Sequence, residues 1–261
     1  MATPLSVIPT FPDLQGKVAV VTGGSRGIGA ATCLALAKNG VKVAVNGRDE
    51  TAIQSTVLAV RAVGGEAIAA PANCAQLSSV EEMRVRVDAE LGAPDYVVVF
   101  AGGGAGRPVP LEQITEQDWR SSVDNNLTST FFTVKCFLPA MIARGSGCIV
   151  NMASAGGRIA AGAPAGYGAA KAGIIMLTRH LAHEVGRHGI RVNCVSPSAV
   201  LTERTRQAIT DEQERQMIPA FPLGRLGHPE DVVAATLFLL SMASSWITGV
   251  TLDVAGGRIM S

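Results

Sequence analysis

The sequence predicts an α/β domain in which a seven-stranded parallel sheet is covered by helices on both faces. Two observations carry this expectation. Short runs rich in β-branched residues alternate with longer segments of helical period from residue 16 almost to the end, the pattern of repeated β-α-β units. Glycines punctuate the alternation: Gly40, Gly64, Gly92 and Gly189 each follow a helical run, where a residue of positive φ ends the helix and releases the chain into the next strand.

In chain order, strands are expected at 18–22, 41–45, 66–70, 96–100, 147–152, 191–195 and 251–254. Helices are expected at 26–39, 50–63, 79–91, 125–143, 167–188 and 229–240. Residues 1–15 contain Pro4, Pro9 and Pro12 and lack a basic start followed by an apolar core, so they read as a loose or surface-draped arm rather than a signal peptide. Residues 16–261 read as one domain. The segment 198–227 breaks the rhythm, being long, charged and interrupted by Pro219 and Pro222. It leaves the carboxyl end of the sixth strand, where open α/β sheets bind ligands, and is expected to form a substrate lid.

Composition narrows the function classes. Of 261 residues 48% are hydrophobic and 16% charged, with a net charge of +1 and 4% aromatics, so neither a basic patch nor a base-stacking surface for nucleic acid is expected. The five cysteines, Cys33, Cys74, Cys136, Cys148 and Cys194, are scattered and form no C-x-x-C pair, which argues against a disulfide framework or thiolate metal site and fits a reducing cytoplasm. The longest apolar runs, 96–101 and 232–240, fall far short of the ~20 residues that span a bilayer, so no membrane partner is expected.

Directly after the first strand stands Thr22-Gly23-Gly24-Ser25-Arg26-Gly27-Ile28-Gly29, followed by a helical run. Gly23 permits a tight turn, Gly27 lets the backbone approach a pyrophosphate, and Gly29 lets the helix pack closely, so that the helix start presents free N–H groups to phosphate. This strand-turn-helix context makes residues 16–261 a dinucleotide-binding domain of the Rossmann type, with Gly23, Ser25, Arg26, Gly27, Ile28 and Gly29 around the cofactor. At the end of the second strand an acid favours NAD and an arginine favours the phosphate of NADP. Here the chain reads Asn46-Gly47-Arg48-Asp49, so Arg48 and Arg26 are expected to converge on a phosphate and select NADP(H). The competing reading makes Asp49 a ribose ligand for NAD(H), but Asp49 opens a helical run and serves as its N-cap.

Tyr167-Gly168-Ala169-Ala170-Lys171 opens an apolar-periodic helix, and the spacing of four puts both side chains on one face. A phenol near pKa 10 becomes usable as acid and base when an ammonium stabilises its phenolate. Alone, such a pair is commonly a solvated helix pair, but the chain has only two tyrosines and this one follows a strand and loop containing Ser154.

The glycine turn, Ser154 thirteen residues before Tyr167, and Lys171 four after it together resemble the short-chain dehydrogenase/reductase family, most closely its 3-oxoacyl-carrier-protein reductase type. The resemblance runs from Gly16 onward and includes Asp124-Asn125-Asn126-Leu127 and the ending from Ile247-Thr248-Gly249 to Gly256-Gly257. It implies hydride transfer between NADP(H) and a ketone or secondary alcohol, with Tyr167 as proton donor and Ser154 holding the substrate oxygen. It further implies that Lys171 holds the nicotinamide ribose and depresses the Tyr167 pKa, and that Asn126 positions a water. Asn73, Cys74, Ala101, Gly102, Pro197, Val200 and Thr202 fall at family cofactor positions, Thr202 at the carboxamide. The resemblance also implies a homotetramer assembled through the helices bearing Asn126 and Tyr167 and through the C-terminal strand.

Three positions depart from the family pattern. Asn73-Cys74 replaces the Asp-containing pair that meets adenine, Phe100 replaces an asparagine expected to brace the central sheet, and Ser198 replaces a glycine after Pro197. His180 and His183 lack the order of a metal motif and read as solvated or interface histidines, and no metal is expected. Arg107, Arg158 and Arg204 stand where they would attract an anionic, carrier-bound substrate. Met141, Met176, Met217 and Met242 read as core. Two alternatives stand beside the carbonyl reductase: an NAD-dependent sugar, polyol or other secondary-alcohol dehydrogenase, and a non-catalytic nucleotide-sensing protein, which intact Ser154, Tyr167 and Lys171 disfavour.

Overall fold

The computed structural model describes residues 8–103, 108–160 and 162–260; the first seven residues of the arm and Arg107 lie outside this range. Seven strands, β1 (Val18–Thr22), β2 (Lys42–Gly47), β3 (Ala67–Pro71), β4 (Tyr96–Val99), β5 (Gly147–Met152), β6 (Ile190–Pro197) and β7 (Thr251–Val254), pair in parallel in the order β3-β2-β1-β4-β5-β6-β7. The order reverses between β1 and β4, which opens a crevice at their carboxyl ends. All five residues of β1 are buried, because helices cover both faces and no strand face is left for water.

One face carries α1 (Gly27–Lys38), α2 (Glu50–Ala62) and α9 (Pro229–Leu240) over a core that includes Val21, Leu36, Val43, Ile53, Val98 and Leu237. The other carries α3 (Leu77–Glu90), α5 (Ser129–Arg144) and α6 (Ala165–Val185) over Val20, Met83, Val97, Phe137, Ile149 and Val185. Gly40, Gly64, Gly92 and Gly189 have φ of 75°, 80°, 89° and 70°, as their positions after helical runs require.

The structure alters several expectations. The helix expected at 125–143 is joined without a break to α4 (Glu116–Val123) through a π turn at Asp124–Thr128. Mostly polar Glu-Gln-Asp-Trp-Arg-Ser-Ser-Val gives α4 little apolar period to read, and capping by Thr115 starts it. The segment 198–227, expected to form a lid, holds α7 (Glu203–Ala208) and α8 (Asp211–Met217), each opened by a capping box, over a small core of Leu201, Phe221 and Leu226. From residue 8 the arm is fastened rather than loose: Leu14 is buried, Phe11 N–H donates to Asn39 Oδ1 at 2.7 Å, and Asp13 Oδ2 accepts the N–H of Met242 at 2.8 Å. Met141 is core, but Met176 and Met242 are exposed.

Phe100 lies just beyond β4, and its ring is buried in the α1 and α9 layer. The bracing expected from an asparagine there comes instead from Thr22, whose buried hydroxyl accepts the N–H groups of Phe100 and Ala101, each at 3.1 Å. Thr22→Val keeps the shape and strands both donors. The expected loss is about 3 kcal/mol, since each unpaired buried N–H costs ~1–3 kcal/mol. Urea unfolding checks it, and an unchanged midpoint would show that the two amides find other partners.

Candidate active site

The crevice is built on backbone contact. A Cβ on Gly29 would lie 2.1 Å from the carbonyl oxygen of Gly23, and one on Gly23 would lie 2.8 Å from that of Phe100. Gly29 therefore seats α1 on the turn itself, at the end of β1, rather than on the body of the sheet. Gly23 and Gly27 have positive φ, and Gly27 faces Thr202 Cγ2 at 3.1 Å from its Cβ position, which brings the start of the segment 198–227 against the glycine turn. Arg26, the N-cap of α1, makes no side-chain cap, so the helix start keeps N–H groups for an anion.

Asn46 was not singled out as a site residue, yet it ties the adenosine side of the crevice together. Its buried amide donates to the carbonyls of Ala70 and Ala72 at 2.9 and 3.3 Å, while its oxygen accepts the N–H of Gly23 at 3.4 Å and the Cys74 thiol at 3.3 Å. Its neighbour Gly47 leaves room for Ser25, whose hydroxyl would lie 2.6 Å from a Cβ there. Asn73 turns back to accept the N–H of Ala75, and burial pushes the Cys74 thiol up to about 11. Arg26 does not point toward Arg48: it forms an ion pair with Asp49, which also caps α2 by accepting the N–H of Ala52 at 3.0 Å. Arg48 is exposed, and no carboxylate pairs with it among the described residues.

Ser154, Tyr167, Lys171 and Asn126 come together at the carboxyl ends of β4, β5 and β6. A Cβ on Gly156 would lie 3.5 Å from Tyr167 Cε1 and 3.7 Å from Ser154 Oγ, which places the two side chains beside each other. Burial pushes the Tyr167 phenol above its ordinary range, and the neighbouring Ser154 hydroxyl pulls the other way. Lys171 is buried, donates to the Met152 carbonyl at 2.9 Å, and sits 5.6 Å from the Tyr167 ring centroid. Burial lowers it to about 8. The expected depression of Tyr167 by Lys171 is thus not what the protein alone provides, because desolvation disfavours both charged forms and Ser154 is the partner that offsets it.

Asn126 is fully buried in the π turn, whose extra residue rotates it inward. Its amide donates to the carbonyls of Ser122 at 2.9 Å and Gly103 at 3.3 Å, and its oxygen accepts the Gly103 N–H at 3.1 Å. A Cβ on Gly102 would lie 2.6 Å from Asn126 Oδ1, so Asn126 clamps the Ala101-Gly102-Gly103 loop beside Tyr167. Pro197 ends β6, Val200 bridges to Gly227, and Thr202 caps α7 with its hydroxyl.

Of the arginines read as anion-attracting, Arg158 is paired with Asp253 at 3.1 Å, whereas Arg204 is exposed at the crevice mouth, 3.7 Å from the Cβ position of Gly103. His180 and His183 are exposed on α6, and no group of three or more His, Cys, Asp or Glu side chains placed to hold a metal ion stands among the described residues.

A nucleotide crevice beside a Ser-Tyr-Lys-Asn constellation defines a nicotinamide-dependent oxidoreductase working between carbonyl and alcohol. The family model described as enoyl-(acyl carrier protein) reductase matches residues 23–258. A Synechocystis 3-oxoacyl-[acyl-carrier-protein] reductase is 39% identical over 249 residues, 95% of this chain and 98% of its own. A Brucella melitensis 3-oxoacyl-[acyl-carrier protein] reductase structure with bound NAD superposes with a TM-score of 0.89 at 30% identity, covering 100% of this chain and 97% of that one. A putative gluconate dehydrogenase from Agrobacterium tumefaciens gives 0.90 at 34% identity, with 96% and 98% covered. The chain belongs to the short-chain dehydrogenase/reductase family.

Tyr167→Phe is expected to cut turnover by about 10²–10⁴-fold while NADPH fluorescence still reports binding; unchanged turnover would remove Tyr167 from the mechanism. For Lys171 the unfolded chain holds its proton to near 10.5 and the folded protein only to about 8. Stability from this group is therefore present above 10.5 and lost as pH falls through about 8. Relative to Lys171→Met, the wild type should gain about 3 kcal/mol between pH 7 and 10.5, read by denaturant unfolding at both pH values.

Proposed function

We propose that the protein is an NADPH-dependent reductase of 3-oxoacyl thioesters carried on a phosphopantetheine arm. The observation that carries the reading is that Ser154 and Tyr167 stand side by side, with Tyr167 Cε1 and Ser154 Oγ 3.5 and 3.7 Å from one point beside Gly156, so that a hydrogen-bond donor and a proton donor can serve one carbonyl oxygen. The nicotinamide, when bound, supplies the hydride. Gly23, Ser25, Arg26, Gly27, Ile28 and Gly29 would hold the pyrophosphate, Asn73, Cys74 and Ala101 would flank the adenosine, Gly102 would line the centre, and Pro197, Val200 and Thr202 would hold the carboxamide end. Lys171 would hold the ribose hydroxyls, and its charge would favour the Tyr167 phenolate. Ser154 holds the substrate oxygen, Tyr167 gives it a proton from its phenolic oxygen, and Asn126 orders water beside Lys171 to restore that proton.

Relatives named for the 3-oxoacyl reaction support the substrate class, and Arg204 at the crevice mouth suits a phosphorylated carrier arm. NADPH is favoured because Asn46 turns inward and leaves no acid at the end of β2, while exposed Arg48 is free of carboxylates among the described residues. Asp49 opposes this by holding Arg26, and the NAD-bound relative makes NAD(H) the second reading. A homotetramer is supported by two apolar surfaces, one with Trp119, Phe131 and Met176 on α4, α5 and α6, the other with Trp246, Val250 and Leu252 around the edge strand β7. Free thiols, four of them buried, suit a reducing cytoplasm, and no described helix is long and apolar enough to cross a membrane.

NADPH oxidation with acetoacetyl-coenzyme A tests the activity, and absence of turnover beside reduction of simple sugars would favour the dehydrogenase reading. Fluorescence titration should show tighter binding of NADPH than NADH, Arg48→Ala should weaken NADPH by about tenfold or more, and Asp49→Ser should widen the NADPH preference. Tighter NADH binding by the wild type overturns the cofactor assignment. Light scattering should give four copies, and a monomer contradicts the assembly.

A further inference from the structure

Arg158 and Asp253 lie outside the reacting groups, yet they border the segment that carries Ser154. Just past the end of β5, Ser154 caps the short turn Ala155–Gly157, its hydroxyl accepting the N–H of Gly156 at 3.2 Å. That turn is pressed on α6 with no space for side chains: a Cβ on Gly157 would lie 2.7 Å from the nitrogen of Ala172, and one on Gly168 2.8 Å from the carbonyl oxygen of Gly156. Its end is held from another direction, by Arg158 Nη2 at 3.1 Å from Asp253 Oδ2, with the two side chains 18% and 14% exposed.

Asp253 sits on β7 in register with Ser196 of β6. Its second oxygen, the Ser196 hydroxyl and the nearby Thr251 hydroxyl are all buried without a hydrogen-bond partner, so no neutral donor on these strands shares the carboxylate with Arg158. A largely buried pair of this kind is rigid, because separating it leaves a charge in a poorly solvated place.

We infer that Arg158 and Asp253 are positioning residues for Ser154: the ion pair clasps the turn after the serine to the last strand and so fixes the serine hydroxyl against Tyr167. The inference rests on Ser154 and Tyr167 being the reacting pair. Packing on α6 holds the turn from one side, and alignment of the Ser154 hydroxyl with Tyr167 tolerates displacement of only about 0.5 Å. The clasp holds the turn from the other side.

The test uses the chain's having two tyrosines, Tyr96 and Tyr167, so that Tyr96→Phe leaves one. Nuclear magnetic resonance of carbon-13-labelled tyrosine in the full-length protein then follows the titration of Tyr167 without any substrate. Because the Ser154 contact lowers the phenol's pKa, Arg158→Met and Asp253→Asn should each move the titration to higher pH. With acetoacetyl-coenzyme A, kcat should fall about tenfold in each while KM for NADPH stays within twofold. The exchanged pair Arg158→Asp with Asp253→Arg should restore both. Single variants that fold, by circular dichroism, with titration and kcat unmoved overturn the clasp. If the single variants do not fold, the exchanged pair decides: a parental titration supports the clasp, and a folded pair with a displaced titration overturns it. A wild type inert toward acetoacetyl-coenzyme A refutes the substrate reading alone and leaves the titration as the test.

Discussion

The crevice depends on backbones that meet where no Cβ fits. Gly29 under the carbonyl of Gly23, and Gly23 against that of Phe100, bring α1, the turn and the end of β4 into direct contact. The short side chains around them complete the join. Thr22 takes up the amides of Phe100 and Ala101, and Asn46 draws the end of β3 to the same turn. Everything assigned to cofactor binding hangs from this junction, which lies at the one place where the strand order reverses.

The reacting groups obey a different logic. Tyr167 and Lys171 share one helix face because of their spacing, but their environment opposes charge on either one. Ser154 is the polar partner that works against that tendency, and the Met152 carbonyl is the one that holds the lysine. Both groups still ionise less readily than they do in water.

Much of this was legible in the sequence for local reasons. Strands buried on both faces read as continuous apolar runs, positive-φ glycines mark helix ends, and a glycine turn between strand and helix has few other uses. Tyr167, Lys171 and Ser154 were legible through their order and spacing. What escaped notice depends on partners distant along the chain. Thr22 looks like an ordinary strand residue until Phe100 is beside it, Asn46 looks like the end of β2 until Ala70 and Cys74 meet it, and Arg26 looks free until Asp49 turns toward it. Helix α4 was missed because its stability comes from its cap and its packing beneath α6 rather than from apolar period, and Met176, read as core, is exposed on the far side of α6.

The position of β1 has a consequence for how the molecule is assembled. It is the first strand of the sheet in chain order yet lies inside it, paired on one side with β2 and on the other with β4, which follows more than seventy residues later. During synthesis from the N-terminus, β1, β2 and β3 can therefore pair as a half-sheet with one long apolar edge still bare. Arrival of β4 both covers that edge and delivers the Phe100 and Ala101 amides to Thr22. The nucleotide crevice is thus the seam between an early half and a late half of the same sheet, and it acquires its shape at the step that covers the open edge of the early half.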